Sequence, residues 1–590
     1  MQGIVGCYIK NKEKAPFLSR QILNNMLSAL KENVRINIER IDYLCFSSAV
    51  LFFDHTPDAF KAVRISHDDQ DILVDGFFKN RDNISLFNSK TKVNFLSFIE
   101  HSGIFNGVCF CHTTNEMTLL NDRHGAKYLY YYENDDLFLF APNPKVILSS
   151  GIVTNKDIDY KSVISLLSQE FIMGDRSILE SIKLLPGASC IKLKNNHKQV
   201  NRYWNFEPLT KQKQDGCYSD LVDEGTRLIK DAIESYAFKK ETIIIPLSGG
   251  LDSRTISCFL AGKTKSRAIH IDYGFEKKYA KRIAQALGIP LNIYPLESYQ
   301  PWQAIDSEIL CASQSIHQFW IYPFLKKEIE RNSGTIVVDG YLMNEVIGGL
   351  STINRSDYSD INKIYPPLNK AFDFILGPKI KSNFYSSYNS QVLDIVENCP
   401  SKDEYHKYLY FVVLNYGRRF TLLFSVVHQY LCSVGLPILD YDLMDFCLAL
   451  PFEAKVNSRF YRDVVSRSFP QIAPIPWSRN RLPLNSPKKK HTICHLQKEW
   501  DKIKHYLTRL TNSKIETLPV HDKNRRFRKD KNYRNYFMDI IFDEQTFDRD
   551  YVSKSGLEKL VQLIDTGRNY FGILEKVALI EMLAREFQHS

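Results

Sequence analysis

The sequence has 590 residues, of which 44% are hydrophobic and 24% are charged, with a net charge of +10. These proportions exclude collagen, coiled coils and overall disorder, and the length predicts roughly two to four domains because single cores stop growing near ~250–300 residues. No apolar run approaches the ~18 residues needed to span a bilayer, and the first residues are charged too soon for a signal peptide, so we expect a cytoplasmic protein without membrane contact.

Residues 1–208 have the pattern of short strands separated by polar turns. Apolar and β-branched runs of four to seven residues alternate with turn residues, which favours an antiparallel, layered α+β domain. The predicted strands are Gly3–Ile9, Ala49–Phe53, Asp71–Val74, Val108–Cys111, Met117–Leu120, Tyr128–Tyr132, Leu137–Phe140 and Ala188–Leu193. The polar stretch 209–217 differs sharply in composition from both sides and is the predicted linker.

Residues 218–590 form the second predicted domain. A helical pattern over Tyr218–Phe238 is followed by apolar runs that alternate with glycine turns and helical periods, namely TIIIPL, RAIHID, LNIYPL and GTIVVDG. This alternation indicates βαβ units and a parallel sheet. After about residue 355 helical periods dominate, and we expect helices over 405–415, 420–434 and 442–450 to pack on the sheet.

The most informative segment is the loop Ser248–Ser253 (SGGLDS), which directly follows the apolar strand Ile243–Leu247. Gly249 and Gly250 allow a tight turn and a close approach to a ligand, while the two serines and the free amides at the start of a helix offer donors to an anion. The loop therefore predicts a phosphate or pyrophosphate site. The carboxylate of Asp252 would be repelled by phosphate unless a cation bridged them, which implies Mg²⁺.

Motifs along nearly the whole chain resemble those of asparagine synthetases. In the first half, MQGIVGCYI resembles the opening MCGIVG, Asp75-Gly76 with Asn80 resembles NGEIYN, residues 121–130 resemble RDRFGIKPLYY, and residues 174–187 resemble GDRTLFEGIKRLPPG. In the second half, SGGLDS resembles the pyrophosphate loop of ATP-pyrophosphatases, residues 339–349 resemble GDGADELFGG, and residues 436–451 resemble VPFLDHRLVEFALSLP. The resemblance implies an α/β protein with an N-terminal Ntn-hydrolase-like α+β layered domain and an ATP-pyrophosphatase parallel α/β domain with added helices.

The resemblance also implies which residues bind ATP and Mg²⁺. The residues implied to bind ATP and pyrophosphate are Leu247, Ser248, Gly249, Gly250, Asp252, Ser253, Ile271, Asp339 and Gly340, and those implied to bind Mg²⁺ are Asp252, Asn344 and Glu345. The Asp-Glu pair of the family stands here as Asn344-Glu345. Asparagine offers a neutral carbonyl oxygen, so the sequence predicts weaker Mg²⁺ binding, unless Asn344 only caps the start of a helix.

In the family a lysine shortly after the Leu-Pro pair neutralises charge that develops during adenylation. The corresponding window here contains Lys455, Arg459 and Arg462, and spacing alone does not choose among them. We predict Lys455 or Arg462, together with Asp252, as the catalytic residues. The pair Arg418-Arg419 either contacts a carboxylate or phosphate or lies on a helix surface.

The glutaminase-like half departs from the family at two positions. Gln2 stands where the family has its nucleophilic cysteine, and an amide cannot attack glutamine. Asp75 stands where the family has the asparagine that binds glutamine. Cys7 lies inside a predicted strand and cannot replace the missing nucleophile. These changes predict an inactive domain that is retained for packing.

The leading functional hypothesis is an ATP-dependent, AMP-forming carbon-nitrogen ligase that takes no nitrogen from glutamine. Ammonia or an amine on the substrate would then attack the acyl-adenylate, and β-lactam synthetases and lasso-peptide cyclases are relatives that close rings in this way. One alternative is an ammonia- or glutamine-dependent asparagine synthase or a sugar-acid amidotransferase. Another is an inactive scaffold or binding homologue, against which the intact SGGLDS motif argues.

The expected partners are a carboxylate-bearing small molecule or peptide and a partner protein of the same pathway. The basic runs at 488–490 and 523–534 are either solvated faces or border the entrance and attract an acidic substrate. Nucleic-acid binding is disfavoured because Asp530 interrupts the second run and few aromatic side chains accompany it.

Overall fold

The computed structural model describes residues 2–10, 18–29, 36–80, 93–206, 217–272, 276–295, 306–315, 321–330, 334–348, 369–487 and 523–588. The predicted linker 209–217, except Cys217, and the basic run 488–490 lie outside these ranges. Within them, we find no helix that combines the length and the apolar character needed to cross a membrane.

The first part of the chain folds into two six-stranded antiparallel sheets. Its strands are β1 Gly3–Ile9, β2 Ile36–Asp42, β3 Phe46–Phe53, β4 Val63–Ser66, β5 Gln70–Phe78, β6 Gly103–Cys111, β7 Glu116–Asn121, β8 Tyr130–Glu133, β9 Leu137–Ala141, β10 Ile182–Leu184, β11 Ser189–Lys194 and β12 His197–Arg202. One sheet has the order β10-β8-β9-β1-β3-β2 and the other β12-β11-β7-β6-β5-β4. All the predicted runs overlap observed strands.

The two sheets pack face to face, and helices cover the first one. Apolar side chains of β1, β3, β5 and β6 form one continuous core between them. The α-helices of this part are Leu18–Ser28, Pro144–Leu148 and Tyr160–Gln169, and short 3₁₀ helices occupy Asp58–Phe60 and Phe95–Glu100. Leu18–Ser28 buries Ile22, Leu23 and Met26 against β1 and β3. The predicted layered Ntn-like α+β architecture is confirmed.

The second part is built on a five-stranded parallel sheet. Its strands are β13 Thr242–Pro246, β14 Lys265–Asp272, β15 Leu291–Pro295, β16 Thr335–Val338 and β17 Ser433–Gly435, in the order β15-β14-β13-β16-β17. The chain therefore adds strands on one side of β13 and then turns to its other side. In open α/β sheets such a switch point, at the carboxyl ends of the strands, is where ligands bind.

Helices surround the parallel sheet and fill the C-terminal part. The α-helices are Tyr218–Glu234, Asp252–Leu260, Lys277–Leu287, Ser307–Ser313, Tyr322–Ile329, Phe372–Ile375, Pro378–Lys381, Phe384–Val396, Glu404–Phe411, Leu423–His428, Tyr441–Ala449, Phe452–Lys455, Arg459–Ser468, Lys523–Lys529, Lys531–Ile541, Glu544–Asp548, Lys554–Asp565 and Phe571–Gln588. Asn344–Gly348 and Val412–Thr421 are π-helices, and Pro437–Leu439 is a 3₁₀ turn.

The helix predicted over 420–434 is wrong at its carboxyl end. Only Leu423–His428 is α-helical, and Ser433–Gly435 forms β17 beside β16. All three residues of β17 are buried, so this short strand shows no alternation of polar and apolar residues. A short apolar run of this kind cannot be distinguished from a buried helix by its periodicity.

Arg418 and Arg419 connect the two parts of the chain. Arg418 donates to Asp175 Oδ1 (2.6 Å) and to the carbonyl oxygen of Leu185 (2.5 Å). Arg419 donates to the carbonyl oxygens of Ile172 (2.8 Å) and Arg176 (2.9 Å). Both side chains are buried, so the helix-surface alternative is wrong for this pair, whereas Arg418 does contact a carboxylate, that of Asp175.

Candidate functional site

The loops after β13 and β16 meet at the switch point of the parallel sheet. A Cβ atom built on Gly340 would lie 2.5 Å from Cβ of Asp252, closer than real Cβ contacts. Only glycine at position 340 therefore allows the segment after β16 to approach the loop Ser248–Ser253. The structure thus brings together the two segments that the sequence predicts to bind ATP.

The loop Ser248–Ser253 is closed by its own serines. The backbone N–H groups of Ser248 and Gly250 donate to Ser253 Oγ and Ser248 Oγ, both at 3.0 Å, and the two hydroxyl oxygens are 3.1 Å apart. Helix Asp252–Leu260 begins in this loop. A glycine turn followed by the amino end of a helix presents free amides and a positive dipole end to an anion.

Arg254 connects the loop Ser248–Ser253 to the turn that follows Ile475. Its buried guanidinium donates to the carbonyl oxygens of Ile475 (2.8 Å), Pro476 (2.8 Å) and Gly249 (3.2 Å). The N–H of Ser478 also donates to the carbonyl oxygen of Gly249 at 3.0 Å. These bonds hold the turn that follows Ile475 against the glycine loop.

Three carboxylates gather at the site. Burial raises the pKa of Asp252 well above its usual value, and the charges of Glu345 and Asp339 raise it further, while Tyr461 and Arg479 lower it. Burial raises the pKa of Asp339 to about 7, although a hydrogen bond from the backbone N–H of Tyr341 acts to lower it. Burial also raises the pKa of Glu345.

One carboxylate oxygen of the site is left without a hydrogen-bond partner by the described residues. Within the described part of the chain, Asp252 Oδ1 is enclosed and has no hydrogen-bond partner. An enclosed carboxylate oxygen beside two further acidic groups suits a hard cation such as Mg²⁺. However, no three His, Cys, Asp or Glu side chains of the described ranges lie close enough to hold a metal by themselves. The predicted Mg²⁺ would need phosphate oxygens as ligands.

Arg479 is a cation of the site that the sequence analysis missed. Its positive charge lowers the pKa values of both Asp252 and Glu345. It follows Ser478 in the turn that is bonded to Gly249. The segment WSRNR at 477–481 carries two arginines, but tertiary contacts, through Arg254 and through the N–H of Ser478, bring it to a loop more than 220 residues earlier.

The structure distinguishes the cations of the 455–462 window. Arg462 donates to the carbonyl oxygens of Asn457 (3.2 Å) and Leu484 (2.9 Å), and Arg459 lies 3.9 Å over the ring of Tyr218. Lys455 is completely buried, and within the described residues its Nζ has no hydrogen-bond partner. Burial lowers the pKa of Lys455 to about 8. These features favour Lys455 over Arg462, and its catalytic role stays a prediction.

The other predicted site residues lie around this centre. Leu247 extends β13, because its N–H donates to Ile269 and its carbonyl oxygen bonds His270 Nδ1, both at 2.8 Å. Ile271 is buried near the carboxyl end of the neighbouring β14. Asn344 and Glu345 begin the π-helix Asn344–Gly348, against which the helix ending at Lys455 packs.

The two residues at which this chain departs from the family's glutaminase motifs bond other side chains of the protein. Lys127 Nζ lies 2.7 Å from Oδ2 of the completely buried Asp75, and Gln2 Nε2 donates to Thr56 Oγ1 at 3.2 Å. The cavity lined by Gln2, Gly76 and Lys127 measures about 20 Å³, which is room for about one water molecule. Cys7 lies buried inside β1, where burial raises the pKa of its thiol.

A second cleft, of about 1240 Å³, lies away from these centres. It runs between residues 156–187 of the first part and the helices Phe384–Val396 and Val412–Thr421. None of the residues predicted to bind ATP or Mg²⁺ or to be catalytic lines it, but Arg418 does. Three cations of the 523–534 run face acidic partners, since Lys523 pairs with Glu575, Arg526 with Asp530 and Arg534 with Asp565. This pairing weakens the expectation that the run attracts a substrate.

Comparison with known proteins matches both parts of the chain to families. A glutamine amidotransferase domain family matches residues 96–204, and the asparagine synthase family matches residues 224–501. A putative glutamine-hydrolysing asparagine synthetase 2 of Methanocaldococcus jannaschii is 25% identical over 42% of this chain and 50% of its own length. The glutamine-hydrolysing asparagine synthetase 3 of Bacillus subtilis is 28% identical over 31% of this chain and 30% of its own length. The Amidase chry2 of Gibberella zeae is 25% identical over 34% of this chain and 33% of its own length. The chain thus spans half the length of these relatives or less.

Proposed function

This chain belongs to the asparagine synthetase family, and we propose that it is an ATP-dependent ligase that activates a carboxylate as an acyl-adenylate and joins it to a nitrogen nucleophile. The observation that carries the proposal is the loop Ser248–Ser253 at the switch point, with the enclosed carboxylate of Asp252 facing the segment after β16. This arrangement suits a nucleotide whose pyrophosphate is released as a unit.

In the first step a carboxylate oxygen of the substrate attacks the α-phosphorus of ATP, and the bond to the β-phosphate oxygen breaks. The amides and hydroxyls of Ser248–Ser253 would bind the departing pyrophosphate. Asp252 and Glu345 would hold Mg²⁺ with help from Asn344, and the cation would supply the positive charge that keeps phosphates and carboxylates together. Lys455 is the candidate for stabilising charge that develops around the phosphorus.

In the second step a nitrogen nucleophile attacks the activated carbonyl carbon, and AMP leaves. The nucleophile loses a proton as the amide forms, so the net products are the amide, AMP and pyrophosphate. If this chain hydrolyses no glutamine, the nitrogen nucleophile must come from solution or from the substrate. We infer that it is ammonia or an amine carried by the substrate, of which ring closure on a peptide or small molecule is the intramolecular case.

The first part of the chain supports the inference that glutamine is not the nitrogen source. Gln2 carries neither a thiol nor a hydroxyl, so it offers no nucleophile. Asp75, which stands where the family has its glutamine-binding asparagine, is paired with Lys127, and the neighbouring cavity lined by described residues measures about 20 Å³. Glutamine hydrolysis would require both a nucleophile and a reopened pocket.

The test is ATP–pyrophosphate exchange with a panel of carboxylates, amino acids and peptides, followed by identification of the nucleotide product. We expect exchange with the true substrate and release of AMP. The variant Asp252→Asn should lose exchange, whereas Asp223→Asn, on an exposed helix face, is the matched control and should retain it. ADP as the sole product, or absence of ATP binding in the unaltered protein, would contradict the proposal, the latter in favour of the inactive homologue.

A turnover assay then distinguishes the nitrogen sources. The substrate identified by exchange is incubated with ATP alone, with ammonium chloride or with glutamine. Product formed with ATP alone indicates an amine on the substrate, and product formed only with ammonium indicates ammonia. Glutamate release from glutamine would restore glutamine-dependent asparagine synthesis as the answer.

A further inference from the structure

A turn of the glutaminase-like part reaches the ATP site. His124 Nε2 and the hydroxyl of Tyr341 share a hydrogen bond of 2.6 Å, and their rings meet at 64° with centroids 5.8 Å apart. Both side chains are only 4% exposed. Tyr341 directly follows Asp339-Gly340, the segment that closes on Asp252. The first part of the chain thus bonds the loop that carries the acidic residues of the second.

Contacts within the glutaminase-like part fix the position of His124. The buried carboxylate of Asp122 accepts the backbone N–H groups of His124 (2.9 Å) and Ala126 (3.1 Å), and also that of Phe105 (3.3 Å). Gly187 packs so closely that a Cβ atom there would lie 2.6 Å from the carbonyl carbon of His124. The turn has little freedom to move, so the imidazole is a fixed partner for Tyr341.

Tyr341 directly precedes a residue with a strained backbone in the segment 339–345 of the ATP site. The next residue, Leu342, has a backbone φ of +57°. Residues other than glycine rarely adopt this conformation, which costs on the order of 1 kcal/mol or more. Leu342 is also wedged against the π-helix Val412–Thr421, because a Cβ atom on Gly417 would lie 2.7 Å from Leu342 Cδ1. A strained conformation persists only where surrounding contacts fix it.

Both partners of the bond depart from the family motifs that this chain resembles. His124 stands where the motif RDRFGIKPLYY has phenylalanine. Three residues, Tyr341–Met343, separate Asp339-Gly340 from Asn344-Glu345, whereas the motif GDGADELFGG has one residue there. The longer segment and the polar side chain that bonds it therefore occur together in this chain.

We propose that His124 is a positioning residue of the ATP site and that, through Tyr341, the glutaminase-like part holds residues 339–345 against Asp252. This gives the first part of the chain a role in a protein that has Gln2 and Asp75 in place of the family's nucleophilic cysteine and glutamine-binding asparagine. The inference rests on the ATP binding of the proposed function but not on its turnover, since the effect of the bond on nucleotide binding can be measured without a substrate.

The experiment is a double-mutant cycle of His124→Phe and Tyr341→Phe on the full chain. The dissociation constant of a fluorescent ATP analogue is measured with and without Mg²⁺. Loss of one buried hydrogen bond predicts that each variant binds the Mg²⁺ complex about 5–10-fold more weakly, and that the double variant is no weaker than either single one. Binding without Mg²⁺ should change less, because the acidic segment then contributes little to affinity.

Two further variants separate positioning from general loss of packing. Tyr130→Phe also removes one buried hydroxyl between the two parts, where Tyr130 donates to the carbonyl oxygen of Ala312 (2.7 Å), and it should bind like the unaltered protein. His124→Gln retains a side chain that can bond Tyr341 and should recover part of the affinity, including where His124→Phe folds poorly.

The inference is overturned if both single variants bind the Mg²⁺ complex like the unaltered protein, if their effects add in full, or if Tyr130→Phe weakens binding equally. If the unaltered protein binds ATP but no carboxylate of the panel supports pyrophosphate exchange, the proposed function fails. The double-mutant cycle of ATP binding still decides the role of His124. If it binds no ATP, both fail.

Discussion

Replacing Asp339 by asparagine should stabilise the ligand-free protein, and increasingly so as the pH rises. Burial raises the pKa of Asp339 to about 7, whereas the unfolded chain keeps a value near the usual 3.8. The folded protein therefore prefers the protonated acid. The stability that this preference contributes is fully present below pH 3.8 and is lost as the pH rises through 7. An amide at this position carries no charge at any pH and avoids the loss.

The two pKa values set the size of the effect. Each pKa unit corresponds to 1.36 kcal/mol, so a rise from 3.8 to about 7 corresponds to ~4 kcal/mol as an upper limit at pH 8. Asp339 is only partly buried, so solvent screening reduces this, and we expect ~2 kcal/mol at pH 8 and less than half of that at pH 5.

The assay is urea unfolding of the ligand-free protein and of Asp339→Asn at pH 5 and pH 8, followed by tryptophan fluorescence, to which the buried Trp477 beside the loop contributes. Asp223→Asn, with an exposed carboxylate, controls for the removal of one negative charge. The reasoning is refuted if Asp339→Asn shifts the unfolding midpoint equally at both pH values, or if it destabilises the protein at pH 8.

Three further outcomes are expected. Asp252→Asn should lower pyrophosphate exchange on the order of a hundredfold or more without destabilising the ligand-free protein, because it also removes a like charge beside Glu345; unchanged exchange would contradict its role. Burial lowers the pKa of Lys455 to about 8, so exchange should fall as the pH rises past 8, and Lys455→Met should lower the rate and flatten this profile. Gln2→Cys alone should release no glutamate from glutamine, as measured by a coupled dehydrogenase assay, because Asp75, paired with Lys127, still replaces the family's glutamine-binding asparagine.

The strand pattern and the loop Ser248–Ser253 were predictable because both depend on local sequence. The β-rich runs of the first part and the apolar runs before glycine turns in the second are short-range signals, and each recurs as a strand. The loop motif combines glycines, hydroxyls and a helix start within six residues. Its position at the switch point then follows from the order of the strands.

The contacts that complete the site were not predictable, because they join residues far apart in the sequence. Arg479 is brought to the carboxylates by long-range bonds, from Arg254 to the carbonyl oxygens of Ile475 and Pro476 and from the N–H of Ser478 to Gly249. Spacing could not choose between Lys455 and Arg462, whereas the structure separates them by their partners. The arginines at 418 and 419 look like helix-surface charges in sequence, since nothing local reveals the carbonyl groups that they bind.

The π-helix Val412–Thr421 makes the connection between the two parts sensitive to chain length. A π-helix accommodates more residues per turn than an α-helix, so it is the form that a helix takes when it carries an extra residue. Deleting one residue ahead of Arg418 would let this segment relax to α-helical winding, in which each residue turns by about 100°. Arg418 and Arg419 would then rotate away from Asp175 and Ile172, and Gly417 would no longer face Leu342. A single-codon deletion here would therefore remove the contacts of both arginines at once, which no single side-chain substitution does.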